Sequence, residues 1–278
     1  MTEIRIGCSG WSYDDWVGPF YPQGTEPGQM FAAYMQNFDT VEVNSTFYRI
    51  PNQWMVRNWA TKSSPDFVFS AKMYQGVTHE KEMHSVKPIY DQFMTAMLPL
   101  KERIGSILIQ MPQRFKATES NQALLEDFLS ILHEDVEFTA EFRDRSWFDE
   151  KTFKLLESYN VAFCVVSQPQ FSGLIPPEPI VTAKHAYVRF HGLNYKKWYS
   201  GEGSERYNYL YSKEELLEWK PKIEQMQDRA TRTVYVYFNN HPSGQAPANA
   251  KMMLDMLGAS PKLPKVLPPK AGAKQKTL

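Results

Sequence analysis

Eight short segments of the chain alternate apolar and polar residues with the two-residue period of β-strands. They begin at Ile4, Thr40, Phe67, Ser106, Glu137, Val161, His185 and Val234. The starts are roughly 33 residues apart on average, close to the length of a strand–helix–strand unit. This spacing predicts eight strands with room for a helix after most of them.

Apolar residues with helical spacing fill most of the gaps. The predicted helices cover residues 28–38, 51–60, 85–100, 121–132, 151–159, 212–226 and 247–257. Pro51 is expected at the first helical position of the second, and the prolines in 85–100 predict a kinked or broken helix. The gap at 167–184 is rich in proline and is predicted to be a loop.

Strands that alternate with helices predict a parallel sheet covered by helices. Closure into a single-domain (β/α)8 TIM-type barrel over residues 1–258 is the simplest arrangement for eight strands. A doubly wound open sheet is the structural rival, but no glycine-rich dinucleotide fingerprint follows the first strand. Residues 259–278 contain many lysines and prolines and no acidic residue, so a flexible, solvated tail is expected there.

The alternation within the strands separates an apolar face from a polar one. In a barrel the apolar face meets the helices and the other face points inward. In the second strand Val41 and Val43 then face outward, whereas Glu42 and Asn44 face inward. The sixth strand is apolar on both faces, but the other strands together place a polar set inside, near their carboxyl ends: Glu42, Asn44, Lys72, Gln110, Glu141, Arg143, Arg189, His191 and Asn239. Barrel enzymes build their active sites at that end.

The charges of this inward set do not balance. Lys72, Arg143 and Arg189 carry three positive charges, whereas Glu42 and Glu141 carry two negative ones. Buried charges are costly unless they are paired, so a bound anion is expected to match the excess. Arginine forks suit phosphate or carboxylate. We therefore predict that the three cations bind a small anionic molecule, with phosphate as the expected anionic group.

The remaining ionisable groups suggest catalytic roles. Glu42 or Glu141 is predicted to be the general base of a hydrolase-like enzyme, with His191 as acid or hydrogen-bond donor. After the eighth strand, Gly244 and a helix that begins near Pro247 offer backbone N–H groups to the same anion.

Other functions stay open. The two glutamates could be the acid–base pair of a glycoside hydrolase. A divalent metal is not favoured, because no HxH or HxxxH spacing occurs, and no metal ligand is assigned. No serine lies in a G-x-S-x-G elbow, so a serine nucleophile is unsupported. A non-catalytic binder of a small anion or of nucleic acid is the main alternative, and a structural salt-bridge network is the simplest one.

Composition narrows the class of protein. Lysine and arginine balance aspartate and glutamate at 31 each among 278 residues, so no global field favours nucleic acid or a membrane surface. Two cysteines are too few for a disulfide scaffold. The first residues lack the pattern of a secretion signal, and no apolar run reaches the ~18–20 residues of a membrane helix. A cytoplasmic protein without a membrane partner is expected.

Seven segments occur in an order that resembles a known family. They are IGCSGWSYDDWVGPFYP, FDTVEVNSTFYRIP, FSAKMYQGVTHE, LIQMPQRF, EFRDRSW, YVRFHG and VYFNNHPSGQAPANA. Together they resemble the YecE-like family, catalogued as domain of unknown function 72, over residues 4–257. The resemblance implies a (β/α)8 barrel and no settled activity.

The resemblance also implies further site residues. The family's motifs add to the substrate-binding set Ser9, Trp11, Tyr48, His79, Trp147, Asn240 and Gly244. The sixth strand of such proteins usually ends in aspartate, whereas Ser167 stands there in this chain. That departure weakens a metal-based hypothesis for this protein.

Overall fold

The computed structural model describes residues 2–79 and 85–264. Its eight parallel strands are β1 (Glu3–Cys8), β2 (Thr40–Val43), β3 (Val68–Lys72), β4 (Ile104–Gln110), β5 (Phe138–Glu141), β6 (Val161–Ser167), β7 (Ala186–Phe190) and β8 (Thr233–Phe238). Each strand predicted from the alternation is confirmed.

The helices lie outside the strands. They are α1 (Pro27–Tyr34), α2 (Ser45–Tyr48), α3 (Gln53–Lys62), α4 (Gln75–Thr78), α5 (Lys87–Met97), α6 (Glu119–Leu129), α7 (Glu150–Ser158), α8 (Lys213–Leu217), α9 (Lys220–Arg229) and α10 (Gln245–Leu257). The segment after β6 contains no helix, as predicted.

Proline positions account for three differences from the predicted helices. Pro51 is not helical, because α3 begins at Gln53, after Asn52, whose side chain accepts a hydrogen bond from the backbone of Met55 at 2.8 Å. Pro88 lies in the first turn of α5, where it causes no kink, whereas the predicted break occurs at Pro99, because α5 ends at Met97 and a 3-10 helix follows over Leu98–Arg103. The helix predicted at 212–226 is two helices, and Pro221 lies in the first turn of the second one.

Neighbouring strands pair in the order β1-β8-β7-β6-β5-β4-β3-β2, and β1 and β2 meet at the two ends of this order. An isolated parallel bridge between Ser9 and Glu42 joins them at the carboxyl end. The result is a nearly closed single-domain (β/α)8 barrel, which confirms the predicted fold.

A tyrosine hydroxyl fills the seam between β1 and β2. The Tyr34 hydroxyl of α1 accepts a hydrogen bond from the Cys8 backbone N–H at 2.8 Å and donates one to the Thr40 carbonyl at 2.9 Å. Gly7 makes this close approach feasible, because a Cβ there would lie 2.3 Å from the Thr40 carbonyl oxygen. The edges of the sheet are thus linked through a side chain.

Hydroxyl groups fill the barrel interior below its carboxyl end. The buried Tyr237 hydroxyl lies 2.6 Å from the Thr40 hydroxyl and donates to Ser70 at 3.0 Å. On the other side, Thr139 contacts the ring of His185 at 3.1 Å. This paired network forms a rigid floor under the side chains at the mouth.

The predicted alternation of side chains is confirmed. Val41, Val43 and Ala140 pack in the apolar core, whereas Glu42 and Glu141 point into the barrel. The structure also shows which side chains of β6 point into the barrel. Cys164 points inward, with its sulfur 4.0 Å from Glu141, whereas Ser167 faces the Tyr211 hydroxyl at 2.9 Å in the outer layer.

The first part of the predicted tail contacts the barrel. The Lys262 backbone N–H donates to Asp39 at 2.9 Å, and its ammonium pairs with Glu3 at 2.8 Å. The rest of the predicted tail, residues 265–278, lies outside the described residues. No helix in the described part of the chain is long and apolar enough to cross a membrane.

Candidate functional site

Arg189 occupies the centre of the barrel mouth, buried between two glutamates. It comes from β7 and binds Glu42 of β2 through two hydrogen bonds, of 2.9 Å from Nε and 2.7 Å from Nη2. Its third nitrogen, Nη1, donates to Glu141 of β5 at 2.6 Å. One guanidinium therefore binds both carboxylates and offsets one of their two negative charges.

Glu42 has every acceptor position occupied by a short contact. Ser9 donates to its Oε1 at 2.6 Å, and Tyr187 donates to its Oε2 at 2.8 Å. With the two bonds from Arg189, this fully buried carboxylate accepts four hydrogen bonds. Such a carboxylate is held firmly, and its acceptor positions are already engaged.

Glu141 keeps one oxygen partly open. Its Oε2 accepts from Arg189, whereas its Oε1 lies 3.5 Å from His191 Nε2 and 3.7 Å from Arg143 Nε. Burial would raise the pKa of Glu141, but the interactions with Arg189, His191 and Arg143 outweigh it and hold this pKa well below its ordinary value. Glu141 is therefore ionised at neutral pH.

Two side chains in a chain of hydrogen bonds orient His191. Asn44 donates through its amide to the Oδ1 of Asn239 at 3.2 Å, and the Asn239 amide lies 3.2 Å from His191 Nδ1. Since burial lowers the pKa of His191 to about 4, the ring is neutral at pH 7. Nδ1 accepts from Asn239, so Nε2 carries the proton and presents an N–H at the mouth.

Lys72 and Arg143 are the cations that the two glutamates do not fully neutralise. The Lys72 ammonium lies 3.6 Å above the centre of the Phe47 ring, and burial, reinforced by Arg189 and Arg143, lowers its pKa to about 7. Burial alone would lower the pKa of Arg143, but Tyr207 and Glu141 raise it above its ordinary value. Arg143 therefore keeps its charge at every working pH.

Four buried polar atoms at the mouth have no hydrogen-bond partner within residues 2–79 and 85–264. Two are donors, Arg143 Nε and His191 Nε2, and two are acceptors, Asn44 Oδ1 and Gln110 Oε1. Buried polar atoms are nearly always paired, and each unpaired one costs about 1–3 kcal/mol. Four of them on converging strands indicate a place for a polar ligand.

The other predicted residues lie at different depths. His79 and Tyr48 are at the rim, next to opposite sides of Phe47, and Tyr48 is 71% exposed. Burial and the charges of Lys72 and Arg143 lower the pKa of His79 to about 4, so it is neutral at pH 7.

Trp11 lies at the outer edge of the mouth. It packs against Phe31 and Trp59, at 4.8 and 5.8 Å between ring centres. It contributes to a cavity of about 270 Å³ beside Asn44 and also to a larger apolar one of about 730 Å³ between α1 and α3. The larger cavity lies outside the barrel and lacks the clustered ionisable groups of the mouth.

Three predicted binding residues stabilise loops instead. Trp147 is fully buried and stacks between Phe115 and Phe142 in the outer layer, which argues against a contact with substrate. The amide nitrogen of Asn240 is likewise occupied, because it donates to the Tyr209 carbonyl and to Asn249, whereas its Oδ1 has no partner among the described residues.

Gly244 allows a turn at the end of the mouth. It adopts a left-handed conformation, with φ of 73°, directly before α10. A Cβ at this position would lie 3.0 Å from Pro19, so the residue is required by the packing of the loop.

Two contributors to the mouth were not singled out from the sequence. Tyr187 binds Glu42, and Tyr207 contacts Arg143 from the loop after β7. The inward parity of Tyr187 could have identified it, whereas nothing in the pattern of that loop indicates Tyr207. Within the described residues, no group of three His, Cys, Asp or Glu side chains is placed to hold a metal ion.

Comparisons with known proteins agree on one family. The family model described as "Protein of unknown function DUF72" matches residues 5–274. The UPF0759 protein YunF of Bacillus subtilis is 30% identical over 271 residues, which are 91% of this chain and 94% of YunF. The UPF0759 protein YecE of Escherichia coli K12 is 24% identical, over 94% of this chain and 97% of YecE.

Solved structures of the same family have this fold. A DUF72 family protein of Thermotoga maritima superimposes with a TM-score of 0.81 at 34% identity, covering 92% of this chain and 99% of that one. A DUF72 family protein of Enterococcus faecalis gives a TM-score of 0.83 at 25% identity, covering 95% of this chain and all of that one.

Proposed function

The chain belongs to the DUF72 family, and we propose that the mouth of its barrel binds a small hydroxylated molecule that carries phosphate or a similar anion, and catalyses a reaction on it. The observation that carries this proposal is the set of unpaired donors and acceptors around a local excess of positive charge. The excess positive charge indicates the anionic group of the ligand, and the unpaired acceptors indicate its hydroxyl groups.

The charge balance indicates the anion. Arg189, Arg143 and Lys72 supply three positive charges when all are protonated, against two from Glu42 and Glu141. Because Arg189 is engaged by both carboxylates, the excess is located on Arg143 and Lys72. The unpaired N–H groups of Arg143 and His191 are the donors that would bind the anion's oxygens.

The unpaired acceptors indicate hydroxyl groups. Asn44 Oδ1 and Gln110 Oε1 can only accept hydrogen bonds, so a partner must bring O–H or N–H groups. An inorganic anion without O–H groups, such as sulfate, satisfies the two donors and leaves both acceptors unpaired. A phosphorylated polyol or sugar satisfies all four.

The geometry also bears on the roles predicted for the two glutamates. A general base needs an available lone pair and a pKa near the working pH. Glu42 accepts four hydrogen bonds, and the pKa of Glu141 is held low. We therefore assign both carboxylates to the positioning of Arg189, and we assign to the neutral His191 ring the donation of a hydrogen bond from Nε2 to the substrate.

Binding is tested by thermal unfolding with inorganic phosphate, sulfate, a phosphorylated sugar and its unphosphorylated parent. A ligand at 100 times its Kd adds about 2.7 kcal/mol to the stability. We expect the phosphorylated sugar to stabilise more than the other three compounds. Arg143→Gln should abolish the effect, whereas Arg145→Gln, an exposed arginine two residues away, should leave it unchanged. Equal stabilisation by the sugar and its phosphate would refute the anion site.

Turnover is tested with panels of phosphomonoesters, phosphodiesters and oligonucleotides, with and without divalent metals. Product formation that is lost in His191→Gln supports an enzyme. Stabilisation without turnover on any substrate would favour the non-catalytic binder. Tight oligonucleotide binding that weakens steeply with salt would favour nucleic acid as the partner instead.

A further inference from the structure

Lys72 lies at the mouth without an acidic partner of its own. Its ammonium rests on the face of Phe47 at 3.6 Å and makes no hydrogen bond or ion pair with another described residue. It ends β3, directly before the bend that leads to α4, and β4 alongside it ends at Gln110. The amine is thus placed beside the unpaired atoms of the pocket and over an apolar surface.

The neighbours of Lys72 disfavour its charged form. Arg189 and Arg143 both repel a positive charge there, and the attraction of Glu141 and Glu42, which are bound to Arg189, offsets only part of the effect. Burial and these two guanidinium groups together lower the pKa of Lys72 to about 7. An unperturbed lysine, with a pKa near 10.4, is neutral in roughly one molecule in 2,500 at pH 7.

A neutral amine in such a place is a nucleophile. Lysines that form imines with carbonyl substrates are activated by an apolar pocket or by a nearby cation. Both features occur at Lys72, through its burial and through Arg189 and Arg143, and they outweigh the contact with the Phe47 ring face, which favours the ammonium. Arg143 and His191 present their N–H groups separately, so the anion and a carbonyl group of one ligand can be held by different side chains.

We propose that Lys72 is a nucleophile that forms an imine with a phosphate-bearing aldehyde or ketone bound in the barrel mouth. The proposal rests on the anion site described above and names the substrate class of that site. It assigns Arg143 to the anion, Lys72 to the carbonyl carbon, and Asn44 and Gln110 to hydroxyl groups of the same molecule.

The step is a condensation. The nitrogen lone pair of Lys72 attacks the carbonyl carbon, and a carbon–nitrogen bond forms as the carbonyl π pair moves to oxygen. That oxygen takes one proton from the nitrogen and one from solvent, and it leaves as water. The product is a protonated imine, and no oxidant or reductant is needed.

Two probes test imine formation and anion binding independently. Pyridoxal 5′-phosphate carries an aldehyde and a phosphate, and pyridoxal lacks the phosphate. The protein is incubated with each at pH 7, reduced with borohydride, digested and mapped by mass spectrometry. We expect Lys72 to be labelled on the order of a hundredfold faster than an exposed lysine such as Lys154, because far more of it is neutral. Labelling should require the phosphate and should be blocked by inorganic phosphate.

The pH profile and matched variants complete the test. Labelling at Lys72 should rise to its half-maximum near pH 7, whereas labelling at exposed lysines should rise only near pH 10. Lys72→Arg keeps a charge and should abolish the fast label, whereas Lys154→Arg should not. Thermal unfolding confirms that each variant is folded.

The outcomes distinguish the two proposals. Fast, phosphate-dependent labelling at Lys72 supports both. Phosphate binding that depends on Arg143, with labelling spread evenly over surface lysines, overturns the imine and leaves the anion site standing. If neither phosphate binding nor selective labelling occurs, both proposals are wrong.

Discussion

Replacing Arg189 by methionine should be one of the most destabilising single changes at the mouth. The side chain is 1% exposed and lies between two carboxylates that are themselves at most 1% exposed. Methionine has a similar volume, so packing is largely kept while the positive charge and three hydrogen bonds to Glu42 and Glu141 are lost. Two buried carboxylates are then left without their cation.

Breaking a buried ion pair by removing one partner costs about 3–5 kcal/mol. With an m-value of about 3 kcal/mol per molar urea, the unfolding midpoint should fall by about 1–1.7 M at pH 7. In the parent protein the low pKa of Glu141 contributes stability above its unfolded pKa, and this contribution is lost as the pH falls through the folded value. In the variant, which lacks Arg189, we expect the pKa of the buried Glu141 to lie above its unfolded value. The ionised carboxylate then destabilises the folded state at pH values above the unfolded pKa. The difference between the proteins should therefore shrink as the pH falls from 7 to 4.

Urea titration followed by tryptophan fluorescence measures this at both pH values. A triple variant, Glu42→Gln, Glu141→Gln and Arg189→Met, removes the unpaired charges and should recover most of the lost stability. Arg189→Lys, which keeps the charge without the fork, should be intermediate. If Arg189→Met were within about 1 kcal/mol of the parent at pH 7, or if the triple variant were no more stable than the single one, the reasoning about this ion pair would be refuted.

Three further outcomes are expected. Gly7→Ala should lower the melting temperature, at a cost of about 1–3 kcal/mol, because its Cβ would lie 2.3 Å from the Thr40 carbonyl oxygen; Gly28→Ala, with open space around it, should match or exceed the parent. Tyr34→Phe should cost about 1–3 kcal/mol in urea titrations, because it leaves the seam between β1 and β2 without its bridging hydroxyl; an unchanged midpoint would contradict that role. Sulfate affinity, measured by calorimetry, should fall as the pH rises through about 7, since a bound anion favours protonated Lys72; Lys72→Met should remove this dependence.

The fold could be predicted from the sequence because its signal is local. Alternation such as that of Val41, Glu42 and Val43 records which side of a strand is buried against helices, and eight such segments separated by helices suit a closed barrel. Both faces of β6 are apolar, so the sequence pattern did not indicate which of its side chains point into the barrel. Packing around Cys164 and Ser167 decided it.

The same alternation predicted which strand residues lie at the mouth of the barrel, but it did not predict what each of these side chains binds. Trp147 stands in a motif next to Arg143, yet it stacks in the outer layer, because a loop can turn a side chain either way. A period of two applies only to residues within a strand, so residues in the loops had no comparable rule.

The sequence by itself determined an eight-stranded barrel with a cationic set of side chains gathered at one end. Only the tertiary structure decided that Arg189 is held by both glutamates and that, within residues 2–79 and 85–264, Lys72 rests on Phe47 without an acidic partner and four polar atoms at the mouth lack hydrogen bonds. Burial of an apolar face is a property of neighbouring residues, and it is therefore visible in the order of the chain. The ion pair joins Glu42 to Arg189, which are 147 positions apart in the chain. Its geometry is sensitive to differences of a few tenths of an ångström in the N–O distances, and these distances are set only when all eight strands close into the barrel.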